Sequence, residues 1–119
     1  MTSPLQEPTF LILTALAGEP LHGYGVIQEV SRLSAGRVVL RPGTLYGALD
    51  RLSDQGFVVA DREEIVDGRL RRYYRLTEDG AGLLHAEAQR LADNAAEARR
   101  RLSARPAARR GTRQAFGGG

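Results

Sequence analysis

The chain has 119 residues, the size of one domain with a single modest core, and it holds no Cys and only two His, His22 and His85. That excludes a disulfide framework, a thiolate nucleophile, a Cys-ligated metal and a multi-His metal site within one chain. All 17 basic residues are Arg; seven of them, with no acid, lie in residues 98–119, so residues 1–97 set ten Arg against fourteen acids and the high pI is a tail effect.

Residues 1–6 read as a flexible lead-in, and Met1-Thr2-Ser3-Pro4 lacks the basic start of a signal peptide. Pro8 suits the first turn of a helix, which runs through Phe10, Leu11, Ile12, Leu13, Ala15, Leu16 and Ala17 to a stop at Gly18. This helix is apolar on nearly all sides but far too short to cross a bilayer, so a soluble, cytoplasmic protein is expected, with one helix face covered by a second subunit. A second helix follows from about His22 to Leu33, ended by Gly36, and Val38-Val39-Leu40 forms a short extended piece. Pro42-Gly43 opens a third helix, in which Leu45, Ala48, Leu49 and Leu52 fall at i, i+3, i+4, i+7. Gly56 closes it.

The period then changes to two. Phe57 to Ala60 begins a strand, Asp67-Gly68 is a turn signal, and Arg69 to Leu76 is the return strand. On that strand Leu70, Arg72, Tyr74 and Leu76 share one face, and Arg69, Arg71, Tyr73 and Arg75 the other. Thr77 is an N-cap for a long helix to about Arg105, along which Leu84, Ala88, Leu91, Ala95, Ala98 and Leu102 form a heptad seam that would pack on another apolar element, the first helix above all. Pro106 ends it. The expected organisation is mainly α with a β-hairpin: lead-in 1–6, winged helix–turn–helix 7–76, dimerisation helix 77–105, disordered basic tail 106–119.

His22-Gly23-Tyr24, Gly43-Thr44-Leu45-Tyr46, Leu49, Arg51-Leu52, Gly56, and Tyr73-Tyr74-Arg75-Leu76-Thr77 with Gly80 resemble, in order and spacing over residues 7–105, the PadR-like family of bacterial transcriptional regulators. The resemblance implies a winged-helix DNA-binding domain, a C-terminal dimerisation helix and repression of genes linked to detoxification or stress; the short length resembles the small subgroup with one long C-terminal helix. Two departures stand out. Gly47 occupies a place where the family more usually has Pro, and the chain has no Trp of the kind that sandwiches flat aromatic ligands in small members.

A helix fits the major groove, where its early residues reach base edges. Thr44, Tyr46, Gly47 and Arg51 are therefore candidate DNA contacts, with Asp50 and Asp54 opposing a flat approach to phosphates. Arg69, Arg71, Arg72 and Tyr73 on the return strand could enter a minor groove or clamp phosphates; equally, those Arg could pair with Asp61, Glu63, Glu64 and Asp67. Tyr24, beside a helix N-terminus, could contact a phosphate or pack on the next helix. His22 could cap its helix. Phe10, Leu13, Leu84, Leu91 and Leu102 are the candidate dimer interface and effector surface.

No acid–base–nucleophile set is visible, and neither enzyme activity, cofactor nor metal is expected. The leading reading is a homodimer that binds double-stranded DNA at a palindromic operator and responds to a small aromatic or hydrophobic effector or to stress. A winged helix can also bind proteins or small molecules without specific DNA recognition, and the acid excess of residues 1–97 keeps that reading open.

Overall fold

The computed structural model describes residues 4–106 in the order α1 (Glu7–Gly18), β1 (Leu21–His22), α2 (Gly23–Leu33), α3 (Pro42–Asp54), β2 (Val58–Val66), β3 (Arg69–Leu76) and α4 (Glu78–Ser103). Residues up to Glu87 form one compact unit and those from Ala88 a second. The basic tail from residue 107 lies outside the described residues.

Local chemistry sets the boundaries. Pro8 and Pro42 stand in the first turns of α1 and α3, where a missing N–H costs no helix hydrogen bond. His22 caps α2, its Nδ1 accepting from the Gly25 N–H at 3.2 Å. At the end of α2, Ala35 and Gly36 take positive φ, and the buried Ser34 hydroxyl donates to the Val30 carbonyl and accepts from the Val38 N–H. Val38-Val39-Leu40 is accordingly a tethered connection, and it forms no strand. Asp67 and Gly68, both at positive φ, make the two-residue turn between β2 and β3.

The first unit is built around Ile12, Leu13, Val26, Val30, Leu45, Leu49 and Val58, all completely buried. Those residues come from α1, α2, α3 and the start of β2, so three helices and the base of the hairpin share one core. The antiparallel sheet has the order β1-β3-β2. Its two-residue first strand is absent from the sequence reading; it pairs Leu21 with Tyr74 and His22 with Tyr73. A bulge between Ala60 and Arg62 shifts the β2–β3 register.

The packing corrects one expectation and leaves apolar residues exposed in two places. Leu13 is completely enclosed by its own chain and presents nothing to a second subunit, so it leaves the interface set. Leu70 shares a strand face with the buried Tyr74 but is exposed, lying near the hairpin turn and away from the core. In the second unit the seam residues Leu91 and Leu102 are 40 % and 57 % exposed.

Candidate nucleic-acid interface

On α3 the core stripe of Leu45, Ala48, Leu49 and Leu52 is buried, and everything that could read DNA lies on the remaining surface. At 100° per residue Thr44 and Arg51 fall almost in line, two helical turns or about 10 Å apart, with Gly47 between them. Both Thr44 and Arg51 are exposed, and the Arg51 guanidinium reaches back along the helix to Gly47, where an added Cβ would lie 3.9 Å from it. Arg51 forms no ion pair among the described residues. Tyr46 occupies the opposite flank, while Asp50 and Asp54 are exposed on the face between.

That second flank closes on another element. Gly23, the first residue of α2, sits so close to the Tyr46 ring that a Cβ would run into the phenol oxygen. A larger residue would have to push the phenol aside, and the approach sets Tyr46 of α3 against the electropositive start of α2. The result is a cleft of about 400 Å³ lined by His22, Gly23, Tyr24, Tyr46 and Arg69 to Arg72. Five candidate residues from three elements, Tyr24, Tyr46, Arg69, Arg71 and Arg72, therefore meet in one place. Thr44, Gly47 and Arg51 lie on the other flank of α3, and Tyr73, outside the lining, reaches the cleft only through its contact with His22.

The hairpin guanidiniums divide sharply. Arg72 pairs with Glu63 at 3.0 Å, Arg75 with Asp61 at 3.4 Å, and Arg62 with both Glu64 and Asp61. Arg62 also lies 4.0 Å over the Tyr73 ring, which meets His22 edge-on at 5.3 Å and donates its hydroxyl to Glu64. Arg69 and Arg71 have no ion pair among the described residues. The hydrogen bond from Arg62 holds the Glu64 carboxyl below its ordinary pKa against the opposing effect of burial. Burial, and next the Arg71 charge, lower the His22 pKa, with Glu64 pulling the other way. His22 is thus favoured as neutral imidazole, the form that caps α2.

Sequence reasoning overlooked Arg41, exposed at the N-cap of α3 and without an ion pair among the described residues. Its signal was available: a basic residue immediately before the Pro-Gly that starts the helix. It also overlooked the His22–Tyr73 contact, which depends on β1. Along α4, Arg100 and Arg101 both pair with Glu97. No group of three or more His, Asp or Glu among the described residues is placed to hold a metal ion.

The description "Transcriptional regulator PadR-like family" matches residues 12–86, well over half of the chain. The chain belongs to the PadR-like family. Transcriptional regulator Rv3488 of Mycobacterium tuberculosis is 41 % identical over 86 residues, spanning 72 % of this chain and 77 % of that protein. A PadR family transcription regulator of Clostridium difficile has the same fold, with a TM-score of 0.64 at 24 % identity over 82 % of this chain and 99 % of the other. The Bacillus subtilis PadR, crystallised in complex with operator DNA, superposes with a TM-score of 0.60 at 24 % identity, covering 68 % of this chain and 46 % of that one. The protein is a PadR-like transcriptional regulator with the winged-helix fold of that family, which is a family of regulators and not of enzymes. No helix among the described residues is long and apolar enough to cross a membrane.

Proposed function

We propose that this PadR-like regulator represses transcription as a homodimer, with residues 7–76 of each copy binding one half of a palindromic operator and α4 joining the copies. The observation that carries the reading is the split among its Arg: among the described residues Arg41, Arg51, Arg69 and Arg71 have no ion pair on α3 and the hairpin tip, whereas Arg62, Arg72 and Arg75 are held by acids. A family relative crystallised with operator DNA supports it. In this reading α3 enters the major groove by its N-terminal half, with Thr44 and Arg51 at base edges, and tilts so that Asp50 and Asp54 stay clear of phosphates. Tyr24, Tyr46 and the start of α2 hold a phosphate beside the groove.

The dimer in this proposal uses Phe10, Leu84, Leu91 and Leu102, and its two reading heads sit about one helical turn, roughly 34 Å, apart on the duplex. An aromatic or hydrophobic effector, or a stress signal, would act at that interface by changing the spacing of the two α3 helices. Gel shifts against the DNA upstream of its own reading frame, with salt varied, test the reading. Arg51→Ala is expected to cost about 1–3 kcal/mol of operator affinity and less on random DNA. Arg71→Ala is expected to weaken both and to lower the slope of log affinity against log salt by about one. Operator binding by both variants equal to that of the parent would overturn the assignment.

A further inference from the structure

The tip of the hairpin carries an oddity that phosphate binding does not explain. Ile65 and Leu70 face each other across β2 and β3, one pair back from the Asp67-Gly68 turn, and are 76 % and 62 % exposed. Exposed hairpin ends are ordinarily kept polar, because bare apolar strands invite aggregation. Here two large aliphatic side chains form one patch one pair short of the hairpin turn. The first unit buries neither, although Leu70 borders the cleft beside Tyr24 and Tyr46.

Their surroundings indicate what would. Arg69 and Arg71 flank Leu70 in sequence and, by strand alternation, project from the opposite face. Neither has an ion pair among the described residues, so each keeps a full charge to offer. The neighbouring acids are spoken for: Glu63 is held by Arg72 and Glu64 by Arg62. Asp67 remains, and its positive φ accounts for it as a turn residue. The tip is therefore an apolar point with cations behind it.

We propose that Ile65 and Leu70 form a wedge that enters the minor groove of duplex DNA; this rests on the DNA-binding reading above and adds a contact and a consequence to it. The minor groove offers both things the tip lacks. Its potential is the most negative on the duplex, which suits Arg69 and Arg71, and its walls and base edges accept aliphatic side chains that part a base step. The groove is about 6 Å wide, little more than the roughly 4.8 Å between two paired strands before side chains are added. A hairpin with side chains on both faces can enter only by widening it, so the DNA bends away. Steps that unstack readily, such as TA, are favoured beneath the tip, and sequence preference arises there without hydrogen bonds to bases.

The full chain and a duplex carrying its own upstream region, labelled at both ends for fluorescence energy transfer, test this. Both residues are exposed, so Ile65→Ser with Leu70→Ser is expected to leave the thermal midpoint unchanged. The double variant is expected to bind about tenfold more weakly, to bend the duplex less, and to keep the salt slope of the parent, since no charge is lost. Arg71→Ala, by contrast, flattens that slope. A double variant that binds and bends as the parent does overturns the wedge and leaves the DNA reading intact; a parent that binds no duplex overturns both. Serine variants that keep DNA affinity but lose self-association assign the tip to a second copy of the chain and overturn the wedge equally.

Discussion

The base of the hairpin and its tip carry the same residue types in opposite states. At the base, Val58 and Tyr74 are buried in the core, β1 extends the sheet across Tyr73 and Tyr74, and the strand ends are tied to the start of α4. There the Thr77 N–H donates to the Phe57 carbonyl at 3.1 Å, while the Thr77 hydroxyl donates to the Gly56 carbonyl and accepts from the Gly80 N–H. Arg62, Arg72 and Arg75 are matched to acids, and Tyr73 lies between Arg62 and His22. Beyond Glu64 all of this stops: Arg69 and Arg71 are unmatched among the described residues, and Ile65 and Leu70 are bare. Composition cannot distinguish the two ends. The difference is what touches them, and it separates a part that fixes position from a part free to meet DNA.

The largest expected effect belongs to the base. Gly80 lies against the Phe57 carbonyl, and a Cβ there would run into that oxygen and into Leu76. A backbone carbonyl cannot rotate aside as a flexible side chain can. Gly80→Ala is therefore expected to cost about 3 kcal/mol, at the upper end of overpacking penalties, read as a lower urea midpoint. The paired tip variant of Ile65 and Leu70 should leave that midpoint where it was. If both ends responded alike, the contrast between them would be gone.

Much of the fold was legible, for identifiable reasons. α3 announced itself by Pro42-Gly43 and a stripe at i, i+3, i+4, i+7, and the hairpin by Asp67-Gly68 between alternating runs. β1 was not legible: two residues carry no period, and their partners Tyr73 and Tyr74 lie some fifty positions on. Without β1 the approach of His22 to Tyr73 is invisible, and so is the cleft that gathers Tyr24, Tyr46 and the Arg of β3. Leu13 was misassigned because an all-apolar helix shows that several faces are covered and says nothing of which chain covers them. The exposure of Leu70 was not legible, because a period of two identifies a face without showing how far along the strand the core reaches.

His22 offers a finer probe, again at the base. Burial and the Arg71 charge lower its pKa from the ordinary 6.5. As pH falls, the unfolded chain takes up a proton at this site before the folded one does. The contribution of neutral His22 is complete above pH 6.5 and is lost as pH drops through that value toward the lower folded pKa. Thermal midpoints are accordingly expected to fall between about pH 7 and pH 5, before the carboxylates titrate. His22→Asn keeps a side-chain acceptor for the Gly25 N–H and removes the titration, so this part of the slope should flatten.

The smallest effect should come from the ion pairs that make the base appear most heavily fixed. Arg72 and Glu63 are about half exposed, so water and salt screen their attraction. Arg72→Gln is expected to change stability by no more than about 0.5 kcal/mol, whereas Tyr74→Ala, on the same face one step nearer the core, should cost several times that. On the DNA-binding reading proposed above, the pair instead withholds a cation from DNA. Glu63→Gln leaves stability nearly unchanged but frees Arg72 beside the cleft that Arg69 and Arg71 already line. Binding to random duplex at low salt should then strengthen and its salt slope steepen by up to about one, a gain that comes from Arg72, since Arg69 and Arg71 have no ion pair among the described residues to be broken.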